Sequence, residues 1–162
     1  MTIRLMVIDD HDLVRDGLTQ YFEMQPGFEV IAEAANCKEL LVKLKTTPVD
    51  MLLLDMSMPG VDGKDMITLV RTFYPDLKIL ILSAHDEVQS VLSAMKAGAS
   101  GFISKTCSPQ ALLKAIKEVV ATGKYIPRDM VERLEYAAIS IQPDNANVEG
   151  WRGSVKPTET GF

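Results

Sequence analysis

The sequence predicts an α/β fold built on a doubly wound parallel sheet. Five short apolar runs alternate with five stretches of helical period. The third and fourth runs are almost continuously apolar, as strands buried on both faces are. Such alternation implies βαβ crossovers, with helices on both faces of the sheet.

The first strand is Ile3 to Ile8 (IRLMVI), followed by a helix over about Leu13 to Met24 with Asp12 capping its start. A second strand begins at Phe28 (FEVIAEA) and leads to a helix over Lys38 to Lys45. VDMLLLD, from Val49, is the third strand, and Gly63 to Phe73 the helix after it. Lys78 to Leu82 (KILIL) and Glu87 to Ala97 form the fourth pair. The fifth strand, GFIS from Gly101, precedes a helix over Pro109 to Thr122. This last helix has clear punctuation: Ser108-Pro109 supplies a cap and a first-turn proline, and Gly123 closes it. Beyond it, YIPRDMVERLEYAAISIQ has helical period from near Pro127 to near Pro143, and PDNANVEGWRGSVKPTETGF reads as a linker. The expected organisation is a domain over residues 1–124, then a linker helix and tail over 125–162.

With 162 residues, 47% hydrophobic and 24% charged, the chain suits one core with an appendage. It opens without a secretory pattern, and no apolar run nears the roughly 18 residues that span a bilayer, so a cytoplasmic address without membrane contact is expected. A net charge of −5 argues against a broad basic face for DNA phosphates on this stretch. Cys37 and Cys107 lack metal-ligand spacing and are read as reduced thiols with packing roles.

In an open parallel sheet, chemistry gathers outside the carboxyl ends of the strands. The first strand ends at Asp9 and Asp10, the third at Asp55, the fourth at Ser83 and the fifth at Lys105. Three carboxylates with one ammonium form a negative pocket that calls for a cation. Mg²⁺ suits it, because this hard ion takes one or two carboxylates, keeps several waters and completes its shell with phosphate oxygens. Asp55 can then attack phosphorus as a carboxylate nucleophile, Lys105 can neutralise the transferring oxygens, and Ser83 can hydrogen-bond the product. His11 is read as a loop residue beside the acidic pair, since a hard ion prefers oxygen. His85 lies in the loop after Ser83, where it either controls water access or is simply solvated. Met56 and Met58 are read as packing, and Pro59-Gly60 as shaping a turn. Each residue also has a plain structural reading taken singly: capping carboxylates, a strand-end hydroxyl, a core phenylalanine, a surface lysine.

From Ile3 to Gly123 the sequence resembles a receiver domain of a two-component response regulator. The motifs are VIDDH around Asp9 and Asp10, LLLDMSMPGVDG around Asp55, LSA at Ser83, and GFISK with Phe102 and Lys105. AGASGFISKTCSPQALLKAI is similar to the NarL/FixJ group in particular. The resemblance implies a flavodoxin-like (βα)5 fold with strand order 2-1-3-4-5. It implies Asp55 as phospho-acceptor from a sensor histidine kinase. Mg²⁺ would be held by the side chains of Asp10 and Asp55 and the main chain of Ser57, with Asp9 acting through a bound water. Ser83 would be the switch hydroxyl, Phe102 an aromatic that turns from an outer to an inner position on phosphorylation, and Lys105 the phosphoryl-contacting amine. Such a domain is a switch rather than an enzyme, taking up its phosphoryl group by self-catalysis and losing it slowly; homodimerisation on phosphorylation is compatible with it.

VKPTETGF resembles the opening of the helix-turn-helix effector of that group, with Pro157 and Glu159 matching and Val155-Lys156 standing where Leu-Thr is usual. DNA binding would then belong to an effector domain outside this chain. Two other readings stand beside this one. A stand-alone receiver would act through protein contacts. A Mg²⁺-dependent phosphatase or phosphotransferase would need a second catalytic acid and an enclosing insertion.

Overall fold

The structure is a computed structural model and describes residues 1–56, 63–83, 88–128 and 131. The elements run β1 (Ile3–Ile8), α1 (Asp12–Glu23), β2 (Phe28–Ala34), α2 (Cys37–Leu44), β3 (Met51–Asp55), α3 (Gly63–Phe73), β4 (Lys78–Ser83), α4 (Val88–Ala97), β5 (Gly101–Ser104) and α5 (Pro109–Thr122). The five strands pair in parallel in the order β2-β1-β3-β4-β5. This is the doubly wound sheet expected of alternating strands and helices, and its order reverses between β1 and β3, so both strands end at the switch point. Two compact units divide the chain, Met1–Pro127 and Arg128–Phe162. All but two residues of the second unit, with the expected linker helix, Pro157 and Glu159, lie outside the described residues.

Strand alternation sorts the core into two layers. Leu5, Val7, Met51, Leu53, Leu80, Leu82 and Ile103 point one way and pack with Phe22 of α1 and with Leu112, Ile116 and Val119 of α5. Their sequence neighbours Met6, Ile8, Leu52, Leu54, Ile79, Ile81 and Phe102 are buried as well, as are Leu40 of α2, Ile67 of α3 and Ala94 of α4. All five residues of β3 are buried, which is why that run carries no polar alternation before Asp55. A register shift between Leu5 and Met6 interrupts the β1–β2 ladder.

Helix ends follow local chemistry. Asn36 caps α2 by accepting from the Glu39 amide at 2.9 Å, while Glu39 accepts from the Ala35 amide at 3.0 Å. That reciprocal pair starts α2 one residue before the expected Lys38. Ser108 accepts from the Ala111 amide at 3.1 Å, Pro109 opens α5, and Gly123 ends it at φ 87°, a left-handed conformation suited to glycine. Asp12 is not the cap of α1 as its position suggested. His11 occupies the cap position, and Asp12 is the first helical residue, where its charge faces the positive end of the helix.

Past α5 the chain returns to the sheet edge. Tyr125 forms a parallel bridge with Gly101, its amide donating to Ser100 O at 3.1 Å and its carbonyl accepting from Phe102 at 3.1 Å. Gly101 is required there, because a Cβ would stand 2.5 Å from the Tyr125 carbonyl oxygen.

Candidate functional site

Backbone pairing carries each strand's last residue to one edge. The Asp9 amide donates to Ala34 O at 3.0 Å, Met56 to Leu82 O at 3.0 Å, and Lys105 to Ser83 O at 2.8 Å, so the ladders extend to the point where the polar side chains begin. From β5 at the sheet edge, Lys105 reaches over the end of β4. Its Nζ stands 3.0 Å from Asp55 Oδ2 and 3.5 Å from Asp9 Oδ2. Asp9 and Asp55 are each 1% exposed, so the ammonium faces two carboxylates with little solvent between them. Burial alone would lower the Lys105 pKa, but the bond to Asp55 and the charges of Asp55 and Asp9 outweigh it and raise it above the ordinary lysine value. Lys105 therefore stays an ammonium at neutral pH.

The acidic loop after β1 is tightly held. His11 donates its amide to Asp9 Oδ1 at 2.8 Å, and its Nδ1 lies 3.2 Å from both Asp9 Oδ1 and Asp10 Oδ1. Arg15, which the sequence did not single out, donates to the Asp9 carbonyl oxygen at 2.5 Å, to Glu33 Oε1 at 3.1 Å and to Asp12 Oδ1 at 2.7 Å. Burial opposes its charge, yet the bonds to Asp12 and Glu33 leave its pKa raised. One side chain on α1 thus ties the loop's backbone to β2. The Asp12-to-Arg15 spacing of three residues on one helix face is the signal that exposes it.

Asp9, Asp10, His11 and Asp55 each bring a ligand atom within 4.8 Å of the others. Asp9 Oδ2 is buried, with the Lys105 ammonium 3.5 Å away and no closer donor among the described residues. A buried carboxylate oxygen in that position, among oxygen donors of three acidic residues, fits a hard divalent cation. Of the expected site residues, the structure brings Asp9, Asp10, Asp55 and Lys105 together. Ser83 is buried at the end of the neighbouring β4. Ser57 lies outside the described residues, as do Met58, Pro59-Gly60 and His85. Phe102 is 2% exposed and occupies an inward position. Its place opposite Ile81 in the β4–β5 ladder puts it in the buried layer. Cys37 and Cys107 are free, and burial pushes both thiols up.

Residues 5–117 match the family model described as the response regulator receiver domain. The chain belongs to this family. The receiver is 36% identical over 143 residues to response regulator UvrY of Escherichia coli (strain K12), a match covering 88% of this chain and 64% of that protein. It is 36% identical over 149 residues to the transcriptional regulatory protein DegU of Brevibacillus brevis, covering 91% of this chain and 63% of that protein. Among solved structures, a LuxR-family two-component response regulator from an Aurantimonas species superposes with a TM-score of 0.76 at 33% identity, covering 86% of this chain and 99% of that one. These relatives place the receiver in the NarL/FixJ, or LuxR, group. The chain spans slightly less than two thirds of the length of the curated relatives it matches. No helix among the described residues is long and apolar enough to cross a membrane.

Proposed function

We propose that this receiver is a phosphorylation switch in which Asp55 takes a phosphoryl group from a phosphohistidine of a sensor histidine kinase. The observation that carries the proposal is the Lys105 ammonium held 3.0 Å from the buried Asp55 carboxylate, beside Asp9. An Asp55 carboxylate oxygen attacks phosphorus, the P–N bond breaks, and its electron pair returns to the imidazole nitrogen, which takes up a proton. The Lys105 ammonium balances the charge on the transferring oxygens, as a fixed cation in a dry site does well. Water later attacks the same phosphorus, releasing phosphate and restoring Asp55. Mg²⁺, held by Asp10 and Asp55 side chains and the Ser57 main chain, with Asp9 acting through a water, would supply further positive charge at the phosphoryl oxygens.

An open apolar hollow of about 570 Å³ lies beside the site, lined by Leu13, Val14, Leu18, Tyr21 and Leu112. Leu13 is 88% exposed on its rim. Such a surface suits a partner helix presenting its phosphohistidine to Asp55. The acyl phosphate then recruits the Ser83 hydroxyl and repacks the layer containing Phe102, shifting a population between two states. In the full-length protein the output is transcriptional, through a DNA-binding effector outside this chain and dimerisation on phosphorylation, in the cytoplasm. Uptake of the phosphoryl group makes it a self-modifying switch, not a turnover enzyme.

Incubation with Mg²⁺ and acetyl phosphate, followed by mass spectrometry, tests the proposal. A phosphoryl adduct on Asp55 that is absent from Asp55→Ala is expected. No adduct, or an equal adduct in the variant, overturns it.

A further inference from the structure

We propose that His11 gives this cation site a second, softer specificity: it admits a borderline divalent ion such as Zn²⁺ with the His11 imidazole as a direct ligand, in competition with Mg²⁺. The proposal rests on the metal-site reading above and extends it to a residue that a hard ion does not use.

Distances support it. His11 Nδ1 is 3.2 Å from Asp9 Oδ1 and 3.2 Å from Asp10 Oδ1. Two donors bound to one ion at about 2.1 Å stand about 3.0 Å apart at right angles, and about 3.4 Å apart at the tetrahedral angle. The imidazole nitrogen thus already stands at a neighbouring-ligand separation from each of the two carboxylate oxygens, and the same spacing serves hydrogen bonding when no ion is bound. The Asp9 side chain is 1% exposed, its Oδ2 is faced by the Lys105 ammonium at 3.5 Å, and Asp10 Oδ1 is a buried atom without a hydrogen bond from the described residues, so the cluster holds buried oxygen suited to a further cation.

The chemistry separates the two ions. Mg²⁺ prefers oxygen and gives up its waters reluctantly, so it gains little from imidazole. Zn²⁺ takes neutral imidazole readily and binds mixed nitrogen and oxygen sets more tightly than earlier divalent ions do. His11 is already turned onto the cluster, with its amide anchored on Asp9 Oδ1 and its side chain 61% exposed, so an arriving ion can reach the ring. Among the described residues, the imidazole is the nitrogen donor of a cluster otherwise made of three carboxylates beside the Lys105 ammonium.

Isothermal titration of ZnCl₂ and MgCl₂ into the chain tests this, using a Cys37→Ser, Cys107→Ser background to remove the two thiols that Zn²⁺ also favours. The ratio of Zn²⁺ to Mg²⁺ affinity is expected to fall at least about tenfold in both His11→Ala and His11→Asn. Mg²⁺ should also displace Zn²⁺ from the parent. A ratio within about twofold of the parent in both variants, while both ions still bind, overturns the role of His11 alone. Failure of the parent to bind either ion, or undiminished binding of both in Asp10→Ala, overturns the metal site and this inference with it.

Discussion

The two ends of the sheet carry ionic clusters of opposite character. At the amino end, Arg4 on β1 and Asp50 before β3 are matched one to one. The Arg4 amide donates to Asp50 Oδ2 at 2.8 Å, its Nε to the same oxygen at 3.3 Å and its Nη2 to Oδ1 at 3.2 Å, with both side chains over a third exposed. At the carboxyl end, the Lys105 ammonium faces two buried carboxylates, Asp9 and Asp55, and Asp10 lies beside His11. The same strands, β1 and β3, pass through both clusters. A balanced, wet pair closes the scaffold; an excess of dry negative charge is a stored demand for a cation and belongs to function.

The sharpest way to break this contrast is Lys105→Met, which keeps the apolar stem and deletes the charge. Chemical unfolding in the presence of a chelator should show a loss of about 3 kcal/mol, the cost of removing one partner from a buried ionic group. Saturating Mg²⁺ should recover more stability in the variant than in the parent, because only the ion can then offset the carboxylates. An equal gain from Mg²⁺ in both proteins would mean that Lys105 and the ion do not share the same charge.

A smaller effect, of opposite sign, is expected from Asp9→Asn. Removing one of the mutually repelling buried charges should raise unfolding stability in chelator by about 1 kcal/mol while weakening Mg²⁺ binding, both readable from urea midpoints and calorimetry. A loss of stability in chelator would show that Asp9 is satisfied as it stands.

Asp50→Asn should give the smallest change, a slight fall in the urea midpoint at neutral pH. The hydrogen bonds from Arg4 outweigh partial burial and hold the Asp50 carboxyl below its ordinary 3.8. Its contribution is therefore present above pH 3.8 and is lost as pH falls through the depressed value, so parent and variant should converge in acid. Curves that stay parallel down to that range would show that the pair contributes nothing at the amino end.

Most of the fold was legible because burial on both faces leaves a plain mark. MLLLD and KILIL are strands of a parallel sheet by composition alone, and β4 gained only Ser83 beyond the expected end. The third strand began at Met51, not Val49, since Asp50 turns its side chain to Arg4. The start of α2 was misplaced by one residue because the Asn36–Glu39 exchange is a reciprocal bond, and periodicity does not register it. At the site, the strand-end rule collected Asp9, Asp10, Asp55 and Lys105, which the topology brings to one edge. Arg15 was missed because its bond to the Asp9 main-chain oxygen has no letter in the sequence, and only its three-residue spacing from Asp12 marks it. His11 was set aside on the preference of a hard ion, an argument silent on where the ring's Nδ1 would lie.

The bridge between Tyr125 and Gly101 has a mechanical consequence. Two hydrogen bonds and a close backbone approach stitch the chain leaving α5 to the strand that also bears Phe102 and, one step beyond its end, Lys105. The exit of the polypeptide from the first unit is thus coupled to β5 like a tow line to a hull.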